Sequence, residues 1–403
     1  MSDRALTIYC GLLLGLAAFS IDITLPFFAV IRDSLDATND STHAIITLNI
    51  IALGVGQLFF GTFSDRFGRR PTIRVGLSLY LLGTLAAIAA TSMPMLLAAR
   101  VLQGLGASAA PVTARAIIRD RFQGRQLAQQ MALASGIFSL GPILAPLIGV
   151  ALVEAGGHWR LIFVAMAVAG LGLLWWLRKI PETLARPQLD AARPRRLLAN
   201  ARRVLGHRQS RYFLLLSGWV MVCIVTIIAN MPRVMEQAYG ITGAWFAILF
   251  AIHGVGIIIG QTINHRLIHR IGAVASAAWA AALMTTTFAI MGLLHLTGLL
   301  TGVIMAICMF VFAIGYLIVY SNSASMTMEP QGEIAGFTAA FLGFFGQVLA
   351  PSLATVGIVF AGGDPGRFSL VLVTVSAVAL LALLIWPWLA RQDKASHSVL
   401  GSS

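Results

Sequence analysis

Charge is scarce in this chain. Only 11% of its 403 residues are Asp, Glu, Lys or Arg, against roughly 25% in soluble domains. Long polar stretches are also missing, apart from one near 179–210. No water-facing segment is therefore long enough to be a separate enzyme domain. Cysteine is rare: Cys10, Cys223 and Cys308 all lie in apolar runs. They are too scattered for a disulfide framework or a CxxC metal site and read as packing residues. No Gly-x-x-x-x-Gly-Lys-Ser/Thr loop occurs, so the chain carries no phosphate cradle for ATP. The first apolar run, Leu6 to Ile31, exceeds a signal-peptide core and ends in no small-residue cleavage site. It is expected to remain as a membrane helix.

What is present is hydrophobic residue: 58% of the chain, with a mean hydropathy of +0.86. A bilayer span needs about 20 apolar residues. On that scale twelve spans are expected, at 6–31, 43–63, 72–92, 95–118, 127–153 and 159–178, then 211–235, 243–268, 272–295, 298–325, 332–361 and 367–390. The fold class is an all-α membrane protein of two six-helix bundles, 1–178 and 211–403. A polar linker, 179–210, joins them and carries an amphipathic stretch near Arg195 to Leu205 expected to lie on the membrane surface. The net charge of +13 does not point to nucleic acid, because the bases cluster in short loops. With both termini in the cytoplasm, 23 of the 28 Lys and Arg fall on that side, as positive-inside topology requires.

One loop stands apart: Gly61-Thr-Phe-Ser-Asp65-Arg66-Phe-Gly68-Arg69-Arg70-Pro71. Each charge at the centre of a bilayer costs about 2.5–3.5 kcal/mol on insertion scales, so this island must sit at a membrane face. Gly61 and Gly68 suit a turn and close backbone approach. Asp65 stands where Arg69, or a helix N-terminus of the other half, can pair with it; Asp120 is a second acid expected near Arg69. Such pairs are expected only when the cytoplasmic side is shut. The run resembles the loop between helices 2 and 3 of the major facilitator superfamily, which implies a cytoplasmic gate at Gly61, Asp65, Arg66, Gly68, Arg69, Arg70 and Asp120. The halves also echo one another. Gly61-x-x-x-Asp65 returns as Gly260-x-x-x-Asn264, and Leu144-Ala145-Pro146 as Leu349-Ala350-Pro351, as parallel repeats would.

Three further runs carry the mechanism. Arg100, followed by Gln103, Gly104 and Gly106, is an arginine inside a span and hence a functional candidate; the other reading is a side chain snorkelling to the outer surface. The run resembles the family's helix 4 motif, which is associated with proton coupling. Gly141, Pro142, Pro146 and Gly149 kink the fifth span and resemble the helix 5 signature of exporters, associated with antiport. Asp22, in Asp22-Ile-Thr24-Leu25-Pro26, is the one acid well inside a span. Counted at 1.5 Å per residue, Asp22 lies roughly 13 Å and Arg100 roughly 7 Å below the outer end. With helices 1 and 4 as neighbours, which the resemblance to the superfamily implies, Arg100 is expected to reach Asp22, and the pair to switch a proton on and off. Together with Arg115-Ala-Ile-Ile-Arg119-Asp120 and Gly336-Phe-Thr-Ala-Ala340, these runs resemble the bicyclomycin/chloramphenicol-resistance (Bcr/CflA) branch of twelve-helix drug:proton antiporters, over nearly the whole chain.

His265 and His269 have metal-ligand spacing but sit beside arginines at a helix end, so a solvated face is expected and no metal. Thr24, Gln103, Asn230, His253, Tyr316, Tyr320, Asn322, Phe344 and Gln347 are candidates for a substrate cavity; helix packing is the alternative for each. The expected function is proton-coupled efflux of small amphiphilic compounds across a bacterial inner membrane, by a monomer without cofactor. A dedicated exporter of one metabolite, such as a siderophore or metallophore, is the alternative, and a proton-coupled uptake carrier a second. No nucleophile–base pair or metal constellation lies within the spans, so an enzyme is not expected.

Overall fold

The computed structural model describes residues 2–184 and 194–400. The centre of the expected linker, 185–193, lies outside the described residues, as do the side chains of Arg391 and Lys394. The described chain is helical throughout. Eleven segments are long and apolar enough to cross a bilayer. One of them, Gly302–Ala361, holds two helices, Gly302–Met328 and Ala335–Ala361, joined by a tight turn at Glu329–Ile334. That makes twelve crossings. The first six are Asp3–Ser34, Ala44–Phe67, Arg69–Ile88, Met93–Arg121, Gly124–Gly156 and Leu161–Lys179. The second six are Arg208–Tyr239, Gly243–Ile271, Ala273–Leu296, then the two helices just named, and Pro365–Ala390. The face holding the Gly61–Pro71 loop is called the basic face below.

Three crossings expected as single helices are interrupted. Pro26 has no N–H to give the Asp22 carbonyl, so the first helix stops at Asp22, passes through a 3₁₀ turn at Leu25–Phe27 and resumes at Phe28. Pro142 produces a similar break after Ser139, and the fourth crossing is broken at Ser108.

Apolar side chains gather in two large cores, one drawn mainly from the first six crossings and one from the second six. Lipid is as apolar as these side chains, so burial alone does not hold helices together; close packing does. Glycines provide it. A Cβ on Gly106 would meet the backbone of Tyr80, and one on Gly83 the backbone of Gln103, which locks the third crossing to the fourth. Gly260 does the same against Ile314 in the second half. The halves meet along two seams, second crossing against eleventh and fifth against eighth. Away from the basic face the seam is closed: Leu25, Phe28, Ile46 and Ile50 join the core of the second half. There Arg32 donates to both oxygens of Glu236, at 3.1 and 3.3 Å.

The helix Pro194–Gly206 packs one face on protein. Its Val204 is fully buried with Leu214, Phe341 and Leu342 of the seventh and eleventh crossings, while Leu198 stays exposed.

This packing makes a direct prediction. Gly106→Val forces the third and fourth crossings apart, an overpacking cost of about 1–3 kcal/mol. Gly172→Val, with nothing within 4 Å of its Cβ position, should change stability by less than about 0.5 kcal/mol. Thermal melting of the detergent-solubilised variants, read by size-exclusion recovery, should separate the two; equal melting would show the glycine contact to be dispensable.

Candidate functional site

A cavity of about 870 Å³ opens on the basic face between the halves. Its walls come from the second and fourth crossings on one side and the tenth and eleventh on the other, with Arg196, Leu197 and Asn200 of the Pro194–Gly206 helix at its mouth.

The charged loop forms one rim. Gly68 ends the second helix and starts the third at φ +103°, a conformation that strains any residue with a Cβ. A Cβ there would also stand 2.7 Å from the Glu182 carboxylate. The turn brings Arg69, 3% exposed, under the loop. Its Nη1 donates to Asp65 Oδ1 at 2.7 Å and Ser64 Oγ at 2.8 Å, and its Nε to Asp120 Oδ2 at 2.9 Å. One buried guanidinium thus joins the second, third and fourth crossings. The structure brings Asp65, Arg69 and Asp120 together, with Asp65 paired inside its own half. This triad is complete while the cavity stands open on the same face, whereas the sequence expectation tied the pairs to the shut form. The pairs lie within one half, so opening the seam between halves need not break them. Arg66 lies over the Phe67 ring at 5.0 Å, away from the triad, and Arg70 contributes its backbone N–H to Glu182.

Glu182 was not anticipated. It accepts the N–H groups of Arg69 and Arg70 at 2.9 and 3.0 Å, capping the third helix from a site 113 residues away. No local pattern marks such a tertiary cap. Burial pushes its carboxyl upward, but bonds from the backbone N–H groups of Arg69, Leu184, Arg70 and Thr183 outweigh burial and hold it below its ordinary value.

The second half repeats the triad without charge. Asn264 and Asn322 exchange amide bonds at 3.2 and 3.1 Å, Ser276 Oγ donates to Asn264 Oδ1 at 2.9 Å, and Asn322 Nδ2 donates to the Ala273 carbonyl at 3.1 Å. Asn322 is therefore a helix tie and does not line the cavity.

Arg100 is fully buried, not snorkelling. Its Nε donates to the Ile45 carbonyl at 3.1 Å, and its Nη1 to the Ser20 carbonyl at 3.1 Å and to Gln103 Oε1. Gln103 in turn donates to Thr84 Oγ1 at 2.8 Å. Nη2 has no hydrogen-bond partner among the described residues. The expected contact with Asp22 is absent: no hydrogen bond or ion pair joins them. Two residues advance a helix by about 200°. Ser20 faces Tyr80, its Oγ 2.8 Å from the phenol, so Asp22 leaves the first crossing from the far side. Asp22 is 4% exposed at the helix break, without a hydrogen-bond or ion-pair partner among the described residues.

The fifth-crossing motif sits between the first and eighth crossings. A Cβ on Gly141 would stand 3.5 Å from Ala18, and one on Gly149 would press on Ile23 and Phe27; Pro142 and Ile143 fill the space left by Gly254 of the eighth crossing.

Of the nine residues expected in a substrate cavity, Tyr320 lines this one and Gln57 partners another: Gln347 accepts from Gln57 Nε2 at 3.0 Å in the second–eleventh seam. The rest pack. Thr24 bonds its own helix at the Ile21 carbonyl, and Gln103 belongs to the Arg100 network. His253 is stacked between Phe250 and Phe312 with Nδ1 3.1 Å from the Met309 carbonyl. Tyr316 is buried in the same aromatic column, Phe344 borders a small core on the basic side, and Asn230 is wholly buried with neither amide atom bonded. Sequence periodicity tells which residues share a helix face, not which helix that face meets. His265 and His269 stack edge to face at 5.0 Å, and no group of three metal-binding side chains occurs among the described residues. Arg115 and Arg119, read only as loop bases and as part of a resemblance, face the cavity; their four-residue spacing was the available signal.

A sequence model described as Major Facilitator Superfamily matches residues 10–355. An uncharacterized MFS-type transporter of Bacillus subtilis is 30% identical over 356 residues, 86% of this chain and 88% of that one. A bicyclomycin resistance protein homolog of Haemophilus influenzae is 26% identical over 396 residues, 96% of each chain. The crystal structure of a D-xylose–proton symporter superposes with a TM-score of 0.75 at 14% identity, covering 94% of this chain and 96% of that one.

The Glu182 cap carries a pH signature. A carboxyl held below its ordinary value in the fold contributes fully above its unfolded pKa, about 4.3, and loses that contribution as pH falls through the folded value. Glu182→Gln should therefore lower the melting temperature at neutral pH, by about 1 kcal/mol of capping energy, and match the parent in strong acid. A constant difference across the acid range would remove the ionised cap.

Proposed function

This chain belongs to the Major Facilitator Superfamily, and from that premise we propose that it is a proton-coupled exporter of small amphiphilic compounds, set in a bacterial inner membrane with its basic face toward the cytoplasm. Export by a monomer needs a cavity reachable from the cytoplasm, a barrier on the far side and a group that trades a proton for cargo. The cavity on the basic face and the Arg32–Glu236 clamp opposite match the first two. The observation that carries the reading is Asp22, buried without a counter-charge beside a broken helix. An ionised carboxylate is costly in such a place, so proton binding there and water access to it are linked. When the halves rock, the first crossing moves against the fifth, where Gly149 meets Ile23, and the setting of Asp22 changes. Arg100 acts in this reading by holding the first, second and fourth crossings together, so that the movement reaches Asp22 as a unit. The 26% identity to a bicyclomycin resistance protein homolog supports drug-like amphiphiles as cargo.

Asp65 serves the return stroke. It is 41% exposed toward the cavity, and in the opposite state it meets the N-terminus of the eleventh helix, whose partial positive charge favours an anion. Each state is held only by interactions it makes better than the other.

Two outcomes are expected. In energised everted vesicles, Asp22→Asn should abolish accumulation of substrate against its gradient while leaving downhill exchange largely intact; continued uphill transport would move the proton site elsewhere. Asp65→Asn should fold normally, lower transport several-fold and reduce cysteine cross-linking between the second and eleventh crossings at the basic face. Unchanged cross-linking with normal flux would remove the gate role.

A further inference from the structure

Cations outnumber available acids in the cavity. Asp65 and Asp120 are both taken by Arg69, and Glu333 by Arg203 at 2.8 Å. Arg115 and Arg119, one turn apart on the fourth crossing and exposed into the cavity, remain without an acidic partner among the described residues, as does Arg196 at its mouth. Like charges at this spacing repel along a helix, and more so where low-dielectric walls replace water.

The opposite wall fits what such a pair would hold. Tyr320 lines that wall and ends a ladder of rings that runs out from the core of the second half, with Phe312–Tyr316 at 5.6 Å and Tyr316–Tyr320 at 6.2 Å. Gly336 faces Arg119 so closely that a Cβ would stand 3.1 Å from Nη1. That missing side chain lets the guanidinium lie along the eleventh crossing. Phe337, stacked on Phe341 at 5.6 Å, follows it. Two forked donors on one side and flat ring faces on the other are complementary to a planar acid. A volume of about 870 Å³ is that of a small-molecule site.

We propose that Arg115 and Arg119 form an anion seat and that the chain exports aromatic amphiphiles bearing a carboxylate or sulfonate. The acid group bridges the two guanidinium groups and the ring lies against Tyr320 and Phe337. This rests on the export reading above and assigns its substrate class.

The full-length protein in phosphatidylcholine nanodiscs provides the test, with 2-naphthoate as the anionic probe and tetraphenylphosphonium as the cationic one. The parent should bind 2-naphthoate with an affinity that falls as salt rises, and bind tetraphenylphosphonium more weakly. Arg115→Gln/Arg119→Gln should weaken 2-naphthoate at least tenfold. Arg115→Lys/Arg119→Lys should retain most of the binding and serves as the folding control. Arg270→Gln, at the end of the eighth crossing, should change nothing. Equal 2-naphthoate affinity in the parent and the glutamine variant would overturn the seat. So would loss of probe binding on adding phosphatidylglycerol at a few lipids per protein, which would make the occupant a lipid headgroup. Transport in everted vesicles separates this proposal from the export reading. Extrusion of tetraphenylphosphonium with 2-naphthoate neither bound nor moved rejects the seat alone, whereas proton-independent movement of every probe rejects coupled export itself.

Discussion

Hydrocarbon supplies neither a hydrogen bond nor a counter-charge, so whatever partners a polar group within the twelve crossings has come from the protein itself. Arg69 meets that constraint with two carboxylates and a hydroxyl. Arg100 meets it differently, with two backbone carbonyls and an amide, and with no acid at all. In both cases one planar, five-donor side chain draws three helices to a point. Glycine does the remaining work by letting backbones touch where side chains would hold them apart. The first half is therefore tied at two levels, at the basic face through Arg69 and deeper through Arg100.

The second half solves the same problem without ions. Where the first has Asp65, Arg69 and Asp120, the second has Asn264, Ser276 and Asn322 in an amide and hydroxyl cluster. Gly68 and Gly272 hold matching turns, at φ +103° and +80°. A neutral cluster is indifferent to the protonation of its members, while a charged one exposes a carboxylate to the cavity. The asymmetry puts the electrically active rim on one half and leaves the other as a passive wall of rings.

The seam between halves follows the same logic. It is apolar away from the basic face, closed by Leu25, Phe28, Ile46 and Ile50 and clipped by Arg32 to Glu236. Toward the basic face it widens into a cavity to which the fourth crossing contributes Arg115, Arg119 and Asp120. Asp22 lies near the closed end, next to the Pro26 break and the fifth-crossing glycines. A helix broken at that point can change the setting of one carboxyl without disturbing the tie at Arg100.

Hydropathy by itself determined the helical class, the number of crossings and the placement of the loops, because the thickness of a bilayer and the cost of charge inside it leave little choice. The order of residues around Asp65 and Arg69 also pointed to their pairing, since only the short turn at Gly68 separates them. What the linear chain left open was the direction of each buried side chain. Arg100 and Asp22 were at compatible depths, yet they project from different sides of their helices, and only the packing of the first crossing on the third, seen in Ser20 against Tyr80, decided that. Asn322 and His253 had the chemistry of a binding site and were spent on helix ties. Glu182 reached a helix end 113 residues away. Arg115 and Arg119 passed for ordinary loop bases until the opposite wall was known. Depth is a property of one helix and can be counted; facing is a property of two, and the tertiary structure alone decides it.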